Sequence, residues 1–432
     1  MALPELISID PISPVPVADI VVPGSKSITN RALIAAALGT GRVRLEGALW
    51  SEDTQVMVAC LQRLGFNLDV LEDAHEASNR TIVIDGQSGR VPPGGSREEP
   101  LELFVGNAGT AARFLLAFLC LGSGYYRLHG VPRMHERPQA ALIESLRQLG
   151  YVIEAEDDHL PALICGVGPR AAGCRVDIGQ SSQFASALLL SAEVGGWDVS
   201  FFGKTLEESP YVGMTMELVK QFGTHPQVFQ IEPDASSGSY FWGLNALGLE
   251  CEPRGGDRDA KTVQVQNWPT SGWQIDAEFP RFLGFEAEVS RDRDLGDSIM
   301  TGIVLAARAS GSRRFVDLAR LRVQECERVL ALRTELARCG IDAEEREQTL
   351  TVHPGSLNPA VIETYDDHRM AMCFSLLALC QSGIQLKDPN CVKKTFPSYF
   401  LKLSSPAPHG MGAIIREGKS GEILSGNDLI AE

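Results

Sequence analysis

The stretch Pro23-Gly24-Ser25-Lys26-Ser27-Ile28-Thr29-Asn30-Arg31 runs directly into an apolar segment, residues 32–38, that stops at Gly39. The Pro-Gly pair breaks the β-like run before it, and the apolar segment is long enough for a helix. The hydroxyls of Ser25, Ser27 and Thr29 are suited to cap free N–H groups at a helix start. The sequence therefore predicts a turn that leads into the N-terminus of a helix.

The predicted helix start is suited to bind an anion. Its free N–H groups and positive dipole end favour negative charge, and Lys26 and Arg31 add two cations. An ordinary capped surface helix is the alternative that this stretch alone leaves open. A nucleotide-binding P-loop is excluded, because Ser25 separates Gly24 from Lys26 and no glycine stands at the required upstream offset.

Length and charge predict a two-domain protein that does not bind nucleic acid. The chain has 432 residues, of which 44% are hydrophobic, and this exceeds what one core usually holds. Its formal net charge of −16, without any run of basic residues, repels nucleic acid and acidic lipid. If the ligands are anionic, the protein must concentrate Lys and Arg locally.

The cysteines and the first residues indicate the cellular compartment. None of the ten cysteines belongs to a Cys-x-x-Cys pair or a Cys/His cluster, which is typical of reduced thiols in a cytosol rather than of disulfides or zinc. The first residues lack a signal-peptide pattern, and no segment reaches the roughly 18 apolar residues of a membrane span. We expect a cytosolic protein without a metal, and a monomer, because no exposed interaction helix is evident.

Helices like the first one recur along the chain. Each begins with polar or small residues, has an almost wholly apolar body and is followed by glycine, and helices that are apolar on all sides are buried. After the first helix, five more are predicted to start at Gly106, Ser181, Ser236, Asp297 and Asp367.

A second module follows each of these helices: a short β-like run, a polar stretch and an amphipathic helix that ends near a glycine. The predicted amphipathic helices are 53–64, 138–149, 211–222 and 323–339, with weaker copies at 274–283 and 395–403. A repeat of roughly 55–85 residues indicates six copies of a small α/β unit, three per domain. If the three buried helices of a domain run parallel, their N-termini emerge together and favour anionic ligands.

Seven motifs on these segments resemble the 5-enolpyruvylshikimate-3-phosphate synthase family. The resemblance covers nearly the whole chain, with the motifs in the family's order. They are Pro23-Gly24-Ser25-Lys26-Ser27 with Asn30-Arg31, Gly106-Asn107-Ala108-Gly109-Thr110 with Arg113, Pro132-Arg133-Met134 with Arg137-Pro138, Ser181-Ser182-Gln183, Asp234-Ala235-Ser236-Ser237, Asp366-Asp367-His368-Arg369-Met370-Ala371-Met372, and Lys394-Thr395-Phe396-Pro397 with Tyr399-Phe400.

The resemblance implies an α/β fold of two domains, each built of three βαβαββ units around buried parallel helices, that close on their substrates. Residues 1–22 and 233–432 would form a discontinuous domain, and residues 23–232 an inserted domain. The Gly, Ser and Pro content after Leu403 separately predicts a partly ordered C-terminal tail. The implied reaction, in aromatic amino-acid (chorismate) biosynthesis, transfers the enolpyruvyl group of phosphoenolpyruvate to the 5-hydroxyl of shikimate 3-phosphate and releases phosphate. No metal or organic cofactor is implied.

The resemblance also implies the residues of the site. Asp297 would face the attacking hydroxyl, Glu325 would protonate the methylene carbon and Lys26 would assist, since addition needs a base and an acid. Gly109 stands where glyphosate-sensitive members have glycine, which predicts access for that inhibitor. The implied phosphoenolpyruvate-binding residues are Lys26, Asn107, Gly109, Thr110, Arg137, Gln183, Arg328, His368, Arg369 and Lys394. The implied acceptor-binding residues are Ser27, Arg31, Ser181, Ser182, Gln183, Tyr211, Asp297, Arg320 and Gln324.

Several of these residues have a simpler interpretation from the sequence alone. Asp297 could be only a helix N-cap, and His368 could only cap or pack. Glu325, beside Gln324 and Arg328, lies on what the pattern predicts to be a solvated helix, where charged side chains are usually without function.

Three positions depart from the family, all in the part that contacts the acceptor. Glu208 stands where the family has Ser, Arg320 where it has Asn, and Gln324 where it has the Lys before Glu325. Arg320 and Ser209 could replace the lost contacts with the acceptor unchanged. Alternatively, Glu208 repels a phosphate and the acceptor is a different hydroxyl compound.

Two other interpretations are possible, and the residues argue against both. The first is a non-catalytic paralogue that binds anionic metabolites; such a protein would gain nothing from the carboxylates Asp297 and Glu325 beside its ligands. The sibling UDP-N-acetylglucosamine enolpyruvyl transferases use a loop cysteine near the position of residues 133–136, and this chain has none there.

Phe114 replaces the family's usual Pro after Arg113, so the sequence leaves the direction of the helix that starts at Gly106 open.

Overall fold

The computed structural model describes residues 3–179, 181–203, 210–251, 262–284 and 287–432. The chain divides into two compact units. The inserted unit consists of Gly24–Ala74 and Asn79–Glu232, and the discontinuous unit consists of Met1–Pro23, His75–Ser78 and Pro233–Glu432. No pattern in the sequence indicated that the short segment His75–Ser78 joins the discontinuous unit.

Helices and strands alternate along the whole chain. The helices are α1 (Lys26–Leu38), α2 (Glu52–Leu64), α3 (Gly109–Cys120), α4 (Pro132–Glu136), α5 (Ala140–Gln148), α6 (Ser182–Gly195), α7 (Pro210–Phe222), α8 (Ala235–Gly243), α9 (Ile299–Leu305), α10 (Arg328–Arg338), α11 (His368–Ala378) and α12 (Tyr399–Ser404). The strands are β1 (Leu6–Ile9), β2 (Ala18–Ile20), β3 (Thr40–Leu49), β4 (Leu68–Glu72), β5 (Asn79–Gln87), β6 (Leu101–Phe104), β7 (Ser123–His129), β8 (Val152–Ala155), β9 (Ala162–Val167), β10 (Ala172–Asp177), β11 (Trp197–Phe202), β12 (Val228–Gln230), β13 (Val263–Val265), β14 (Glu288–Ser290), β15 (Arg313–Val316), β16 (Asp342–Arg346), β17 (Thr349–His353), β18 (Ala360–Ile362), β19 (Ile384–Lys387) and β20 (Ile415–Glu417).

The described strands form six sheets that repeat one pairing pattern. Each sheet contains a parallel pair, and in four of them two further strands add in antiparallel fashion. The inserted unit holds β12-β3-β5-β4, β6-β7-β9-β8 and β10-β11. The discontinuous unit holds β14-β15-β17-β16, β18-β19-β1-β20 and β13-β2. The predicted six-fold α/β repeat, three copies per unit, is confirmed.

The core of each unit is a group of three mutually contacting helices, α1, α3 and α6 in one and α8, α9 and α11 in the other. Every residue of α3 and α11 is buried, because both helices are apolar on all sides. The sheets and the amphipathic helices cover these groups, as the sequence predicted. No helix among the described residues combines the length and the apolar character that crossing a lipid bilayer would require.

Hydrogen bonds secure the segments at which the chain passes from one unit to the other. In the inserted unit, Ser25 N donates to Glu232 O at 2.8 Å. In the discontinuous unit, Glu76 is 2% exposed, accepts a hydrogen bond from Ser398 Oγ at 2.7 Å and pairs with Lys402 at 2.8 Å. The segment His75–Ser78 is therefore held at both ends of α12, by a hydrogen bond at its N-cap and by an ion pair in its last turn.

The amphipathic helix predicted at 323–339 begins five residues later than expected. A 3-10 helix, Leu318–Val323, ends at Gln324, whose backbone is not helical (φ −93°, ψ −137°). The side chain of Glu327 then caps α10 by accepting a hydrogen bond from Leu330 N. An N-cap fixes where a helix starts, and periodicity alone does not show it.

The prediction of a tail after Leu403 is wrong. Strand β20 pairs with β1 in antiparallel register, with Ile415 opposite Ile9. Ile415 and Leu429 are fully buried, so the C-terminal segment completes a sheet and its core. The Gly, Ser and Pro content of this segment had concealed the few apolar residues that anchor it.

Replacing Ile415 by Ala should lower the free energy of unfolding by about 2–5 kcal/mol, because a buried side chain leaves a cavity. The neighbouring Ile414 is 43% exposed, and Ile414→Ala should cost less than about 0.5 kcal/mol. Urea denaturation of both variants measures the difference. Equal destabilisation would contradict the pairing of β20 with the core.

Candidate active site

In the inserted unit, the starts of α3 and α6 lie side by side. Gln183, in the first turn of α6, donates through Nε2 to Thr110 Oγ1 at 3.2 Å. Its Oε1 accepts a hydrogen bond from Arg113 Nη1 at 2.5 Å. Ser181 caps α6 by accepting from Gln183 N. Because the first turns of the two helices meet, their N-termini lie at the same end of the unit.

The guanidinium group of Arg137 lies over the start of α3. Its Nη1 donates to Asn107 O at 3.0 Å, and a Cβ added at Gly109 would lie only 2.6 Å from Nη2. Arg137 is 7% exposed, and its Nε has no hydrogen-bond partner among the described residues. A buried N–H without a partner is costly, and an anion bound at this helix start would give it one.

Lys26 begins α1 and pairs with an acid that the sequence did not single out. Its Nζ lies 3.1 Å from Asp53 Oδ2, and the lysine side chain is 17% exposed. The expected capping by Ser25 is wrong, because its side chain makes no capping hydrogen bond. The hydroxyl of Thr29 accepts instead from Leu49 N at 3.1 Å, which ties α1 to β3.

Arg31 is fully buried and holds three helices together. Its Nε donates to Thr215 Oγ1 at 2.7 Å on α7, and its Nη2 donates to Ser186 Oγ at 3.0 Å on α6. Its Nη1 donates to Ser27 O at 2.8 Å, and its guanidinium carbon lies 5.1 Å from the ring centroid of Phe114. The Phe at position 114 is thus accommodated inside a continuous α3 and packs against a cation.

The other predicted acceptor residues of this unit lie nearby. Ser181 and Ser182 are both 5% exposed and stand at the start of α6. Tyr211, in the first turn of α7, accepts through its backbone oxygen from Arg31 Nη2 at 3.4 Å. Glu208 and Ser209, the first departure from the family, lie outside the described residues.

In the discontinuous unit, a buried carboxylate joins the starts of α8 and α9. Asp276 accepts hydrogen bonds from Ser236 Oγ and Ser298 Oγ, both at 2.5 Å, and from the backbone N–H groups of Gly296 and Ser298. No sequence pattern indicates Asp276, because its partners lie about twenty residues or more away along the chain. Because Asp276 binds the backbone N–H groups of Gly296 and Ser298, it fixes the backbone position of Asp297 between them.

Asp297 lies among arginines. Its Oδ1 is 2.9 Å from Arg291 Nη2, and its Oδ2 is 3.1 Å from Arg369 Nη2. Burial favours the neutral acid, but the arginine charges, led by Arg369 and Arg291, outweigh it and hold the pKa of Asp297 well below its usual range. Ser298, not Asp297, is the N-cap of α9, so the simple capping interpretation of Asp297 is wrong.

Glu325 is not on a solvated helix. It precedes α10, its side chain is 9% exposed, and its carboxylate lies 2.8 Å from Arg328 Nη2 and 3.4 Å from Lys394 Nζ. Lys394 is itself only 5% exposed. The expectation failed because the cap at Glu327 excludes residues 324–326 from the helix and turns Glu325 inward.

Asp367 connects the start of α10 with the start of α11. Its carboxylate accepts two hydrogen bonds from fully buried Arg328, at 2.6 and 3.1 Å, and one from Arg369 N at 2.9 Å. His368 is 1% exposed, with Nδ1 3.7 Å from Asp367 Oδ1. Arg369 is 7% exposed, and its Nε has no hydrogen-bond partner among the described residues.

The two remaining departures from the family lie next to Asp297. Gln324 donates through Nε2 to Asp297 Oδ1 at 3.5 Å and accepts at Oε1 from Arg328 Nη1 at 2.8 Å. Arg320, on the 3-10 helix Leu318–Val323, is close enough for its charge to lower the pKa of Asp297. The discontinuous unit therefore brings Asp297, Arg320, Gln324, Glu325, Arg328, His368, Arg369 and Lys394 together.

Outside this site, one group of possible metal ligands occurs among the described residues. Asp342, Glu344 and His353, on β16 and β17, have ligand atoms within 4.8 Å of one another. Glu344 already pairs with Arg346 at 3.0 Å, and both carboxylates are exposed. Nothing in this geometry requires a metal.

The fold is that of the enolpyruvyl transferases. A solved EPSP synthase from Acinetobacter baumannii superposes with a TM-score of 0.69 at 20% identity, covering 95% of this chain and 99% of the other. The enolpyruvyl transferase NikO from Streptomyces tendae superposes with a TM-score of 0.67 at 14% identity, covering 96% and 99%.

Sequence comparison is more specific. The family model for EPSP synthase (3-phosphoshikimate 1-carboxyvinyltransferase) matches residues 10–249 and 286–403. A 3-phosphoshikimate 1-carboxyvinyltransferase of Vibrio atlanticus (strain LGP32) is 36% identical over 92% of this chain and 99% of its own length. Its counterpart in Laribacter hongkongensis (strain HLHK9) is 38% identical over 89% and 96%. The chain belongs to the EPSP synthase family.

The lowered pKa of Asp297 predicts how its contribution to stability depends on pH. A carboxyl group whose pKa is lower in the folded state stabilises the protein fully above its ordinary pKa, about 3.9, and loses this effect as the pH falls through the folded-state value. The difference in free energy of unfolding between wild type and Asp297→Asn should therefore stay constant from about pH 8 to about pH 5 and shrink only below about pH 4.

Chemical denaturation across this pH range measures the difference. The control is Asp69→Asn, which breaks an exposed pair with Arg42 and should cost less than about 1 kcal/mol at any pH. A difference that already shrinks between about pH 8 and pH 5 would mean that the arginines do not hold Asp297 ionised.

Proposed function

We propose that this chain transfers the enolpyruvyl group of phosphoenolpyruvate to the 5-hydroxyl of shikimate 3-phosphate and releases phosphate, a step of aromatic amino-acid biosynthesis. The observation that carries the proposal is a pair of buried arginines at helix starts, Arg137 in the inserted unit and Arg369 in the discontinuous unit. The Nε of each has no partner among the described residues. Such groups are rare in protein cores, and an anion bound at these helix starts would complete them.

The donor carries a phosphate and a carboxylate, which match the cations at these helix starts. Arginine binds such groups through two parallel hydrogen bonds, and each charge-assisted bond contributes about 1.5–3 kcal/mol. In the inserted unit, Asn107, Gly109 and Thr110 form the start of α3 and leave room for Arg137. We assign the binding of the phosphate and carboxylate of phosphoenolpyruvate to Lys26, Arg137, Gln183, Arg328, His368, Arg369 and Lys394.

The addition needs the hydroxyl proton removed and a proton delivered to carbon 3, and the elimination needs a proton removed from carbon 3. The 5-hydroxyl oxygen bonds to carbon 2 of phosphoenolpyruvate while carbon 3 gains a proton and becomes a methyl group. Phosphate then leaves carbon 2, and the methyl group returns a proton to the carboxylate that had supplied one, which restores the double bond. We assign the role of the acid to Glu325, because its carboxylate lies 3.4 Å from Nζ of Lys394, which we assign to phosphoenolpyruvate binding.

Asp297 is placed as the group that receives the hydroxyl proton. With its pKa held low by arginines, it would be a weak base in the empty site. The negative charges of both substrates would offset those arginine charges and raise its pKa toward the ordinary range. The base would thus become effective only when the anionic substrates are bound.

Arg320 and Gln324 bear on the identity of the acceptor. Arg320 places a positive charge near Asp297, so the acceptor pocket keeps a cation even though Gln324 has replaced a lysine. We assign acceptor binding in this unit to Asp297, Arg320 and Gln324, and in the inserted unit to Ser27, Ser181, Ser182, Gln183 and Tyr211. The N–H groups of Arg31 donate to protein atoms, so we assign Arg31 the role of holding α1, α6 and α7 in position around these acceptor-binding residues.

A cytosolic location and a monomeric state belong to the same proposal. All ten cysteines in the described part of the chain are free thiols, as in a reducing compartment. The substrates are small anions, and no cofactor is needed for the steps above.

Phosphate release tests the function directly. Purified enzyme is given phosphoenolpyruvate with shikimate 3-phosphate, with unphosphorylated shikimate, or with no acceptor. Release should depend on shikimate 3-phosphate. Glu325→Gln, which keeps the size of the side chain but lacks the acidic proton, should bind phosphoenolpyruvate in the presence of acceptor and release none. Release by wild type with no acceptor, or full turnover by Glu325→Gln, would contradict the proposal.

Exchanging the charge between positions 320 and 324 tests the acceptor assignment. Arg320→Asn should raise the KM for shikimate 3-phosphate about ten-fold or more, because one charge-assisted contact is lost, and leave the KM for phosphoenolpyruvate within about two-fold. Adding Gln324→Lys should restore the affinity, since position 324 also lies beside Asp297 and the cation returns to the same pocket. A KM for the acceptor that is unchanged in Arg320→Asn would remove Arg320 from the pocket.

Gly109→Ala should weaken donor binding, because the new Cβ would displace the guanidinium of Arg137. We expect the KM for phosphoenolpyruvate to rise about ten-fold, with a smaller change for the acceptor. The matched control is Gly213→Ala on α7, where no atom lies within 4 Å of the added Cβ. Steady-state kinetics with each substrate varied in turn measures both KM values. Equal KM values for phosphoenolpyruvate in Gly109→Ala and Gly213→Ala would show that Gly109 does not make room for donor binding.

A further inference from the structure

The segment before His368 forms a tight turn with an unusual residue in it. Asp367 N donates to Thr364 O at 2.9 Å, and the two central residues, Tyr365 and Asp366, have φ of 56° and 52°. These features define a type I′ turn. Asn, Asp and Gly are the usual residues at its central positions, and a bulky side chain with positive φ is strained. Asp366 suits its position, and Tyr365 does not.

A hydrogen bond holds Tyr365 in this conformation. Its hydroxyl donates to Glu335 Oε1 at 2.6 Å, and Glu335 is fully buried on α10. The other oxygen of Glu335 accepts from Glu363 N and from Arg338 Nη1, both at 3.2 Å. The strained tyrosine is therefore tied to a carboxylate that is itself fixed at several points.

The same helix holds the other end of the turn. Arg328 is the first residue of α10, and its guanidinium binds Asp367 through two hydrogen bonds. Arg328 and Glu335 are seven residues apart, two helical turns, and so lie on the same side of α10. Together they hold both Asp367 and Tyr365, with the turn between the two attachments.

We infer that Tyr365 is a positioning residue for the reaction proposed above. Its bond to Glu335 maintains the type I′ turn, and the turn directs Asp367 toward Arg328 and delivers His368 and Arg369 to the site. Arg328 in turn contacts Glu325 at 2.8 Å. A loosened turn would therefore misplace Glu325, the proposed proton donor, and also His368 and Arg369, which we assign to phosphoenolpyruvate binding. None of these side chains would be removed.

Tyr365→Phe removes only the hydroxyl. We expect kcat to fall at least about ten-fold and the KM for phosphoenolpyruvate to rise, with the KM for shikimate 3-phosphate within about two-fold of wild type. The matched control is Tyr126→Phe in the inserted unit. It also removes a tyrosine hydroxyl that donates a hydrogen bond of 2.6 Å, in this case to Pro92 O. The control should keep wild-type kcat.

Two further variants separate positioning from simple stabilisation. Tyr365→Asn places a residue favoured in type I′ turns at this position, so it should retain a higher kcat than Tyr365→Phe although it also lacks the phenol. Combining Tyr365→Phe with Glu335→Gln should lower kcat by less than the product of the two single effects, because the weaker acceptor at position 335 acts on a bond that Tyr365→Phe has already removed.

A measurement without turnover keeps this inference distinct from the proposed function. The imidazole NMR signal of His368, assigned by its loss in His368→Asn, should shift in Tyr365→Phe and not in Tyr126→Phe. This result would support the coupling even if wild type proved unable to use shikimate 3-phosphate. An unchanged His368 signal with unchanged kcat, or a lowered Tm with unchanged kcat, would show that Tyr365 only stabilises the fold and would overturn the inference.

Discussion

Two buried arginines hold the two sets of site residues in place, and the remainder of each set depends on them. Arg31 and Arg328 are the largest side chains in the described structure that are fully buried. A buried cation is stable only when its N–H groups and its charge are matched, and removing one partner costs about 3–5 kcal/mol. Arg31 satisfies this with hydroxyl and carbonyl oxygens from three helices, and Arg328 with Asp367, Glu325 and Gln324.

Charge balance explains how a protein of net charge −16 can build the site that we propose for anions. In the discontinuous unit the cations are paired with carboxylates, so that Asp297 faces Arg291 and Arg369 while Glu325 faces Arg328 and Lys394. These internal pairs orient the side chains before any substrate arrives. Such preorganisation reduces the rearrangement needed on binding, and the proposed catalytic carboxylates are at the same time the partners that keep the cations in place.

The parts of the structure that the sequence predicted well are those with local signals. Apolar bodies followed by glycine identified the buried helices, and polar residues at their starts together with the family resemblance gave the candidate site residues. Contacts between distant residues left no such signal. Glu325 was assigned to a helix face because the charged pattern continues through it, whereas the helix begins only after the cap at Glu327. The Arg328–Asp367 pair, 39 residues apart, then fixes the arginine that contacts Glu325. The same reason concealed Asp276, the partner Asp53 of Lys26, and the pairing of β20 with β1.

We propose that the methylene carbon of phosphoenolpyruvate is protonated, by Glu325, when both substrates are bound. Running the reaction in D₂O and analysing the product by proton NMR shows whether this carbon is protonated during the transfer. If a methyl group forms and then loses one of its hydrogens, deuterium must appear in the vinyl methylene of the product. Product whose methylene carries no deuterium at full turnover would contradict the account, because the enolpyruvyl group would then have been transferred without protonation at carbon.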